Sequence, residues 1–117
     1  MQAPDQDNSI LLVRAEPESF GGDRALDLAA DRLRQCNGRV VAFFHGAGVD
    51  HARCSHAGPW IELACDHELV LEVCAAAWQR RHDDDLPEPF VRSSLVRFWH
   101  RVASGFCLFG PDACDGQ

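Results

Sequence analysis

The residue best placed to do chemistry in this 117-residue chain is Cys74. It directly follows the apolar run LVLEV and opens the segment CAAAWQRR, whose alanines and terminal arginines favour a helix. At a strand-to-helix junction, the free N–H groups and the positive end of the helix dipole favour thiolate over thiol. A thiolate can attack a sulfane sulfur and then hold it. The sequence therefore predicts a reactive thiol at Cys74.

A second group of candidates follows the apolar run RVVAFF. His45 comes first and is followed by the glycine-rich turn that contains Gly46 and Gly48. Because the carboxyl ends of parallel strands form one crevice, we expect the imidazole and the backbone N–H groups of this turn to lie near Cys74 as auxiliary groups. The GxGxxG and Walker patterns of nucleotide sites are absent, so we predict no cofactor.

Metal binding is the alternative for the remaining cysteines and histidines. Cys54 and His56 form a Cys-x-His pair that Cys65 and His67 repeat, but the usual Cys-x2-Cys spacing is absent and we predict no metal site. Free cysteines are most often small core residues. We accordingly place three cysteines in the core and four other side chains elsewhere: Cys36, Cys65 and Cys107 inside, His51, His82 and His100 in solvent, and Cys114 in a tail where it is a candidate second sulfur acceptor.

The elements that must position these residues alternate between strands and helices. Short apolar runs predict strands at residues 10–15, 40–44, 69–73 and 106–109. Helical spacing predicts helices at 23–35, 59–67, 74–81 and 90–103, the last with its apolar residues Val91, Leu95, Phe98, Trp99 and Val102 turned inward. This alternation predicts an α/β fold, with a mainly parallel central sheet covered on both faces.

Composition excludes several classes of function. Eighteen acidic residues against eleven basic ones, all arginine, give a net charge of -7, which disfavours direct nucleic-acid binding through a cationic surface. No apolar run has the length of a membrane span, and the polar start MQAPDQDNSI does not resemble a secretory signal. We therefore expect no membrane partner, a cytoplasmic location and reduced cysteines.

Several blocks resemble the DsrE/TusD (DsrE/DsrF-like) sulfurtransferase family. They are SFGGDRALDLAADRL after the first strand, VAFFHGAGVDHA, WIELACDHELVLEVC and CAAAWQRR. The last block is similar to the family's persulfide-carrying cysteine followed by an alanine-rich turn ending in arginine, and it aligns that cysteine with Cys74. The sequence has His45 and Ala47 where the family usually has an aromatic and an acidic residue.

The resemblance implies a flavodoxin-like three-layer sandwich that works as a sulfurtransferase without a cofactor. It implies a sulfur relay in which Cys74 accepts sulfur as a persulfide and passes it on, either toward tRNA 2-thiolation or in cytoplasmic sulfur oxidation. The implied partners are sulfur donor and acceptor proteins and related DsrE-family subunits, in a homo- or hetero-oligomer that is a trimer or a hexamer. We predict a flexible leader at residues 1–9, one domain at 10–109 and a tail at 110–117.

Two other functions stay open on the sequence alone. The chain could be a non-catalytic structural subunit of a DsrE-type oligomer, in which Cys74 only fills a small apolar space, or a zinc-binding regulatory module. A carrier predicts an exposed thiol of low pKa that alkylates quickly, whereas a structural subunit predicts a slow one. A surface made from Phe98, Trp99 and residues 106–109 is the candidate subunit contact.

Overall fold

A computed structural model describes residues 8–35 and 38–110 of the chain. The strands are β1 (Ser9–Val13), β2 (Val40–Phe44), β3 (Leu69–Cys74), β4 (Val91–Ser93) and β5 (Cys107–Phe109). The helices are α1 (Phe20–Gln35), α2 (Gly58–Asp66), α3 (Ala75–Arg81) and α4 (Leu95–Ala103), and a 3-10 helix spans Gly46–Ala52. The predicted leader and tail fall largely outside the described residues, so the predicted domain bounds stay a prediction.

The five strands form one sheet in the order β4-β3-β2-β1-β5, and all four pairings are parallel. Parallel sheets are buried on both faces, which explains why all five residues of β2 are buried. The chain therefore has the predicted α/β architecture of a flavodoxin-like sandwich with a parallel central sheet.

Neighbouring aromatic residues on β2 show how the helices form two layers. Phe43 packs against Phe98 of α4, with ring centroids 5.1 Å apart. Phe44 faces the other way and meets Trp60 of α2 edge-on at 5.0 Å. Because successive side chains of a strand point to opposite faces, α4 covers one face of the sheet and α2 covers the other.

The predicted helix at 90–103 is wrong in its first turn. Residues 91–93 form β4, and the helix begins only at Leu95, where Ser94 caps it by accepting a hydrogen bond from the Arg97 N–H at 3.1 Å. The inward face is also wrong, since only Phe98 is buried, while the side chains that the prediction had placed inside with it are exposed or half-buried: Val91, Leu95, Trp99 and Val102.

Helix α1 begins three residues before its predicted start at Asp23. The Ser19 hydroxyl accepts a hydrogen bond from the Gly22 N–H at 3.0 Å, so that Ser19 caps a first turn containing Gly21 and Gly22. Gly22 is buried, and a Cβ on it would collide with the carbonyl oxygen of Glu16. These glycines allow the helix to start close to the end of β1.

Candidate functional site

Cys74 is the last residue of β3 and immediately precedes α3, as the sequence predicts for the strand-to-helix junction. Its Cα is the ladder partner of Ser93 on β4. The thiol makes no capping hydrogen bond to α3. The side chain is only 5% exposed and belongs to the hydrophobic core. The strand-to-helix junction is therefore present, but the sulfur of Cys74 is buried there. The role of Cys74 as a sulfur carrier stays a prediction.

The sheet register brings His45 alongside Cys74. Phe44 pairs with Val73 in the last rung of the β2–β3 ladder, so His45 and Cys74 each follow the last paired residue of their strand at the carboxyl edge. The His45 ring stacks over Phe43 two residues earlier, with centroids 6.4 Å apart and planes 15° apart. Phe43 pairs with Glu72, and Cys74 follows Glu72 by two residues just as His45 follows Phe43 by two. Because side chains two residues apart along a strand point to the same face, the thiol and the imidazole are directed to one face of the sheet.

An open cleft of about 490 Å³ lies where β1 and β2 end. It is lined by residues from the two strand ends: Arg14, Ala15, His45, Gly46 and Ala47. Burial lowers the pKa of His45 below its ordinary value of 6.5, and the positive charges of Arg14 and Arg80 lower that pKa further. The imidazole is therefore neutral at neutral pH. Arg14 and Arg80 had no part in the predicted site, because no motif distinguishes them from other surface arginines.

The two glycines predicted as auxiliary groups have structural duties. Gly46 has a φ of 61°, a conformation that favours glycine, and it turns the chain from β2 into the 3-10 helix. The Gly48 N–H already donates to the carbonyl oxygen of His45 at 3.0 Å. Gly48 also packs so closely on the carbonyl of Val13 that a Cβ there would collide with it.

Two histidines predicted to face solvent are instead packed and hydrogen-bonded. His51 is 4% exposed: the Trp60 Nε1–H donates to its Nδ1 at 3.0 Å, and its Nε2–H donates to the carbonyl of Ala15 at 3.0 Å. Burial is the main cause of its lowered pKa. His82 is half-buried, and its Nε2 lies 2.7 Å from a carboxylate oxygen of Asp50. A buried tryptophan needs an acceptor for its N–H. That requirement was the feature of the sequence from which a buried, hydrogen-bonded His51 could have been predicted.

Asp50 ties the 3-10 helix to α3. Its carboxylate accepts hydrogen bonds from Arg81 Nε at 3.1 Å and from Arg81 Nη2 at 2.9 Å, and it also contacts His82. These bonds, those of Arg81 first, hold the pKa of Asp50 below its ordinary value of 3.8. The network fixes the far end of the helix that begins after Cys74. Sequence reasoning had assigned Arg81 only to the end of its own helix.

The other cysteines differ from the prediction. Cys65 and Cys107 are exposed, so the expectation that they fill core positions is wrong, and Cys54 is exposed as well. Cys65 lies on the outer side of α2, and Cys107 begins the edge strand β5. Cys36 and Cys114 lie outside the described residues. Three exposed thiols therefore provide an internal standard for the reactivity of Cys74.

The Cys-x-His repeat does not converge. Within residues 8–35 and 38–110, no three histidine, cysteine, aspartate or glutamate side chains are grouped so that they could hold a metal ion. In the same part of the chain, no helix combines the length and apolar character needed to cross a bilayer.

The fold has a clear counterpart among solved structures. The YchN protein from E. coli superposes with a TM-score of 0.70 at 13% sequence identity, and the match covers 88% of this chain and 99% of that one. The chain therefore shares the fold of YchN. No protein-family model matches the sequence, and no curated protein matches it. The likeness in fold thus extends over almost the whole of YchN while the two sequences have diverged.

Proposed function

We propose that the chain is a sulfur-relay protein of DsrE type that accepts sulfane sulfur as a persulfide on Cys74. The observation that carries the proposal is the position of Cys74, at the carboxyl end of β3 and directly before α3, in a DsrE-like fold. Reactive groups of parallel α/β sheets collect at this edge. His45, with a neutral imidazole, directly follows Phe44, which pairs with the residue before Cys74.

The transfer is an exchange between thiolates and needs no cofactor. The Cys74 thiolate attacks the outer, sulfane sulfur of a persulfide on a donor protein. The donor's S–S bond breaks, its electron pair leaves with the donor thiolate, and a new S–S bond forms at Cys74. In the second half, an acceptor thiolate attacks the outer sulfur on Cys74 and the Cys74 thiolate departs. Sulfur and electrons balance in each half without an external oxidant.

The second candidate function is that of a non-catalytic subunit in a DsrE-type oligomer. The burial of Cys74 favours it, because a thiol that is 5% exposed within the core also fits a purely structural role. A carrier must uncover this sulfur, and the contact with a donor protein is the step at which we expect that to happen. The two functions therefore differ in whether sulfane sulfur reaches Cys74 at all.

The test is intact-protein and peptide mass spectrometry after incubation with polysulfide, on wild type and Cys74→Ser. The carrier function predicts a gain of sulfur mass that maps to the Cys74 peptide and is lost in Cys74→Ser. The matched control is Cys65→Ser, which removes an exposed thiol and should leave the Cys74 signal unchanged. Sulfur only on exposed cysteines such as Cys54 and Cys107, equally in Cys74→Ser, would reject the carrier function and favour the structural subunit.

We place this relay in the cytoplasm, between sulfur donor and acceptor proteins, in sulfur oxidation or on the way to tRNA 2-thiolation. Related subunits of the same fold are the proposed assembly partners, in a trimer or hexamer. The proposed contact is an apolar surface around Trp99, which is 55% exposed, together with the exposed Val96 of the same helix and the exposed Val91 of β4. Phe98, which we had included in this contact, is fully buried and belongs to the core instead.

A further inference from the structure

Among the described residues, two arginines near the cleft at the ends of β1 and β2 lack acidic partners: Arg14, which lines it, and Arg80 of α3. Four other arginines in the described part of the chain pair with carboxylates: Arg34 with Asp31, Arg81 with Asp50, Arg92 with Asp85 and Arg101 with Glu72. Among the described residues, neither Arg14 nor Arg80 forms an ion pair or a side-chain hydrogen bond. Both are exposed. They are therefore free to bind an anion from solution.

These charges converge on one imidazole from different elements. Arg14 follows β1 and lines the cleft together with His45, which follows β2. Arg80 lies on α3, which packs against the 3-10 helix that follows His45, and its positive charge acts on the same ring. Arg14 thus lines the opening and Arg80 adds a second positive charge near the ring, in a chain whose net charge is -7. A local cationic site in an acidic protein attracts anions that the rest of the surface repels.

The size and shape of the opening limit the ligand. The cleft holds about 490 Å³, and Gly46 at its lip has open space where a Cβ would project. Guanidinium groups suit tetrahedral oxyanions, because their N–H groups match pairs of oxygen atoms. A neutral imidazole adds one N–H donor without requiring protonation.

We propose that this cleft binds a small oxyanion, either free or as the phosphate group of a larger ligand, through Arg14, Arg80 and the ring of His45. Cys74 does not line the cleft, so the site does not depend on the thiol. Its test therefore gives an answer whether or not Cys74 carries sulfur.

The experiment follows the His45 ring signals by NMR during titration with sodium sulfate, at constant ionic strength made up with sodium chloride. A bound dianion near the ring favours the imidazolium, so the pKa of His45 should rise with saturable dependence on sulfate. Arg14→Gln and Arg80→Gln should each weaken the sulfate affinity about tenfold or more, because each removes a charge-assisted contact. Both side chains are exposed, and thermal unfolding will confirm that both variants fold.

The matched control is Arg39→Gln, since Arg39 is exposed and precedes β2 at the opposite edge of the sheet. It should bind sulfate like wild type, and so should Cys74→Ser. An equal response to chloride, or an equal loss in Arg39→Gln, would overturn the proposal, since the effect would then be general screening. Titration with inorganic phosphate and with glycerol 2-phosphate identifies the source: tighter binding of the ester indicates a larger phosphorylated ligand, and equal binding indicates a free oxyanion.

Discussion

At the scale of single residues, the backbone of a neighbouring strand leaves no room for a side chain at Gly48. The 3-10 helix must pass directly over the end of β1, and any side chain at Gly48 would collide with the carbonyl of Val13. Gly58, at the start of α2, has no atom within 4 Å of the place where a Cβ would stand. The two glycines thus form a matched pair for substitution by alanine: the new Cβ would collide with backbone at Gly48 and would lie in open space at Gly58.

We predict that Gly48→Ala lowers the free energy of unfolding by about 2 kcal/mol, because the backbone must shift to relieve the collision. Gly58→Ala should leave stability unchanged or raise it slightly, since alanine restricts the unfolded chain. Urea unfolding followed by circular dichroism measures both. Equal stability of the two variants would show that the 3-10 helix can move away from β1 at little cost.

His51 makes the stability depend on pH. Its pKa in the folded protein lies below the ordinary value of 6.5, mainly because the ring is buried. Above pH 6.5 the ring is neutral in both states and its bonds to Trp60 and Ala15 are intact. As the pH falls below 6.5, the unfolded chain takes up a proton that the folded protein resists, and stability declines toward the lowered folded pKa.

We therefore predict that the wild-type midpoint of urea unfolding falls between pH 7 and a pH of about 5. His51→Gln should be less stable at pH 7 by about 2 kcal/mol, since Trp60 and Ala15 lose a well-placed partner. The same variant should show a flatter dependence on pH. A slope as steep in His51→Gln as in wild type would assign the pH dependence to other groups.

At the scale of elements, an ion pair joins the sheet to α4. Glu72 of β3 is 2% exposed, accepts a hydrogen bond from Arg101 Nη2 of α4 at 2.6 Å, and accepts a second from the Ser93 hydroxyl at 3.2 Å. Phe98 of the same helix packs on Phe43 of β2. A buried carboxylate without its partner is costly, whereas a buried pair replaced by apolar groups often is not.

We predict that Arg101→Leu lowers the free energy of unfolding by about 3 kcal/mol, because it leaves the Glu72 charge buried and unpaired. The double variant Glu72→Leu with Arg101→Leu should recover most of that loss. Thermal and urea unfolding of the two single variants and the double variant form a thermodynamic cycle. Losses that simply add would mean that water, rather than Arg101, already satisfies Glu72.

The elements that sequence reasoning found are those with long or continuous patterns. The continuous apolar runs of β2 and β3 predicted strands, and the helical spacing of apolar residues in α1 predicted a helix, with no competing secondary structure. The strand β4 was missed because its first residue, Val91, continues the apolar spacing of α4 toward the N-terminus. Val91 was therefore counted as a helix position. Ser94, a good N-cap, was the signal for the true helix start. The His51 and Asp50 networks depend on contacts between distant segments, which spacing along the chain does not reveal.

At the scale of the whole molecule, the helical layer on one face of the sheet leaves large apolar side chains exposed. The face opposite α2 is covered by α4, which has nine residues, and Trp99 remains 55% exposed on it. Val91 on the edge strand β4 and Val96 add to this apolar surface. A surface of this kind often marks a contact between subunits.

We predict that Trp99→Ala shifts the protein toward smaller species in sedimentation velocity without loss of folding, because the exposed ring contributes to the subunit contact and not to the core. The matched control is Phe20→Ala, which removes another exposed aromatic side chain on the helix-α1 side and should leave the mass unchanged. An unchanged mass for Trp99→Ala would place the contact elsewhere.

The strand order also sets a schedule for biosynthesis. Among the described strands, β1 is made first, lies in the interior of the sheet and pairs with β5, the last of them to be made. While the chain grows, β2 can cover one edge of β1, but its other edge and the buried residues Ile10 and Leu11 must wait until residues 107–109 emerge. An open edge of this kind invites pairing with other chains. The nascent protein is thus most exposed to aggregation until residues 107–109 have left the ribosome, which is when chaperone protection would matter most.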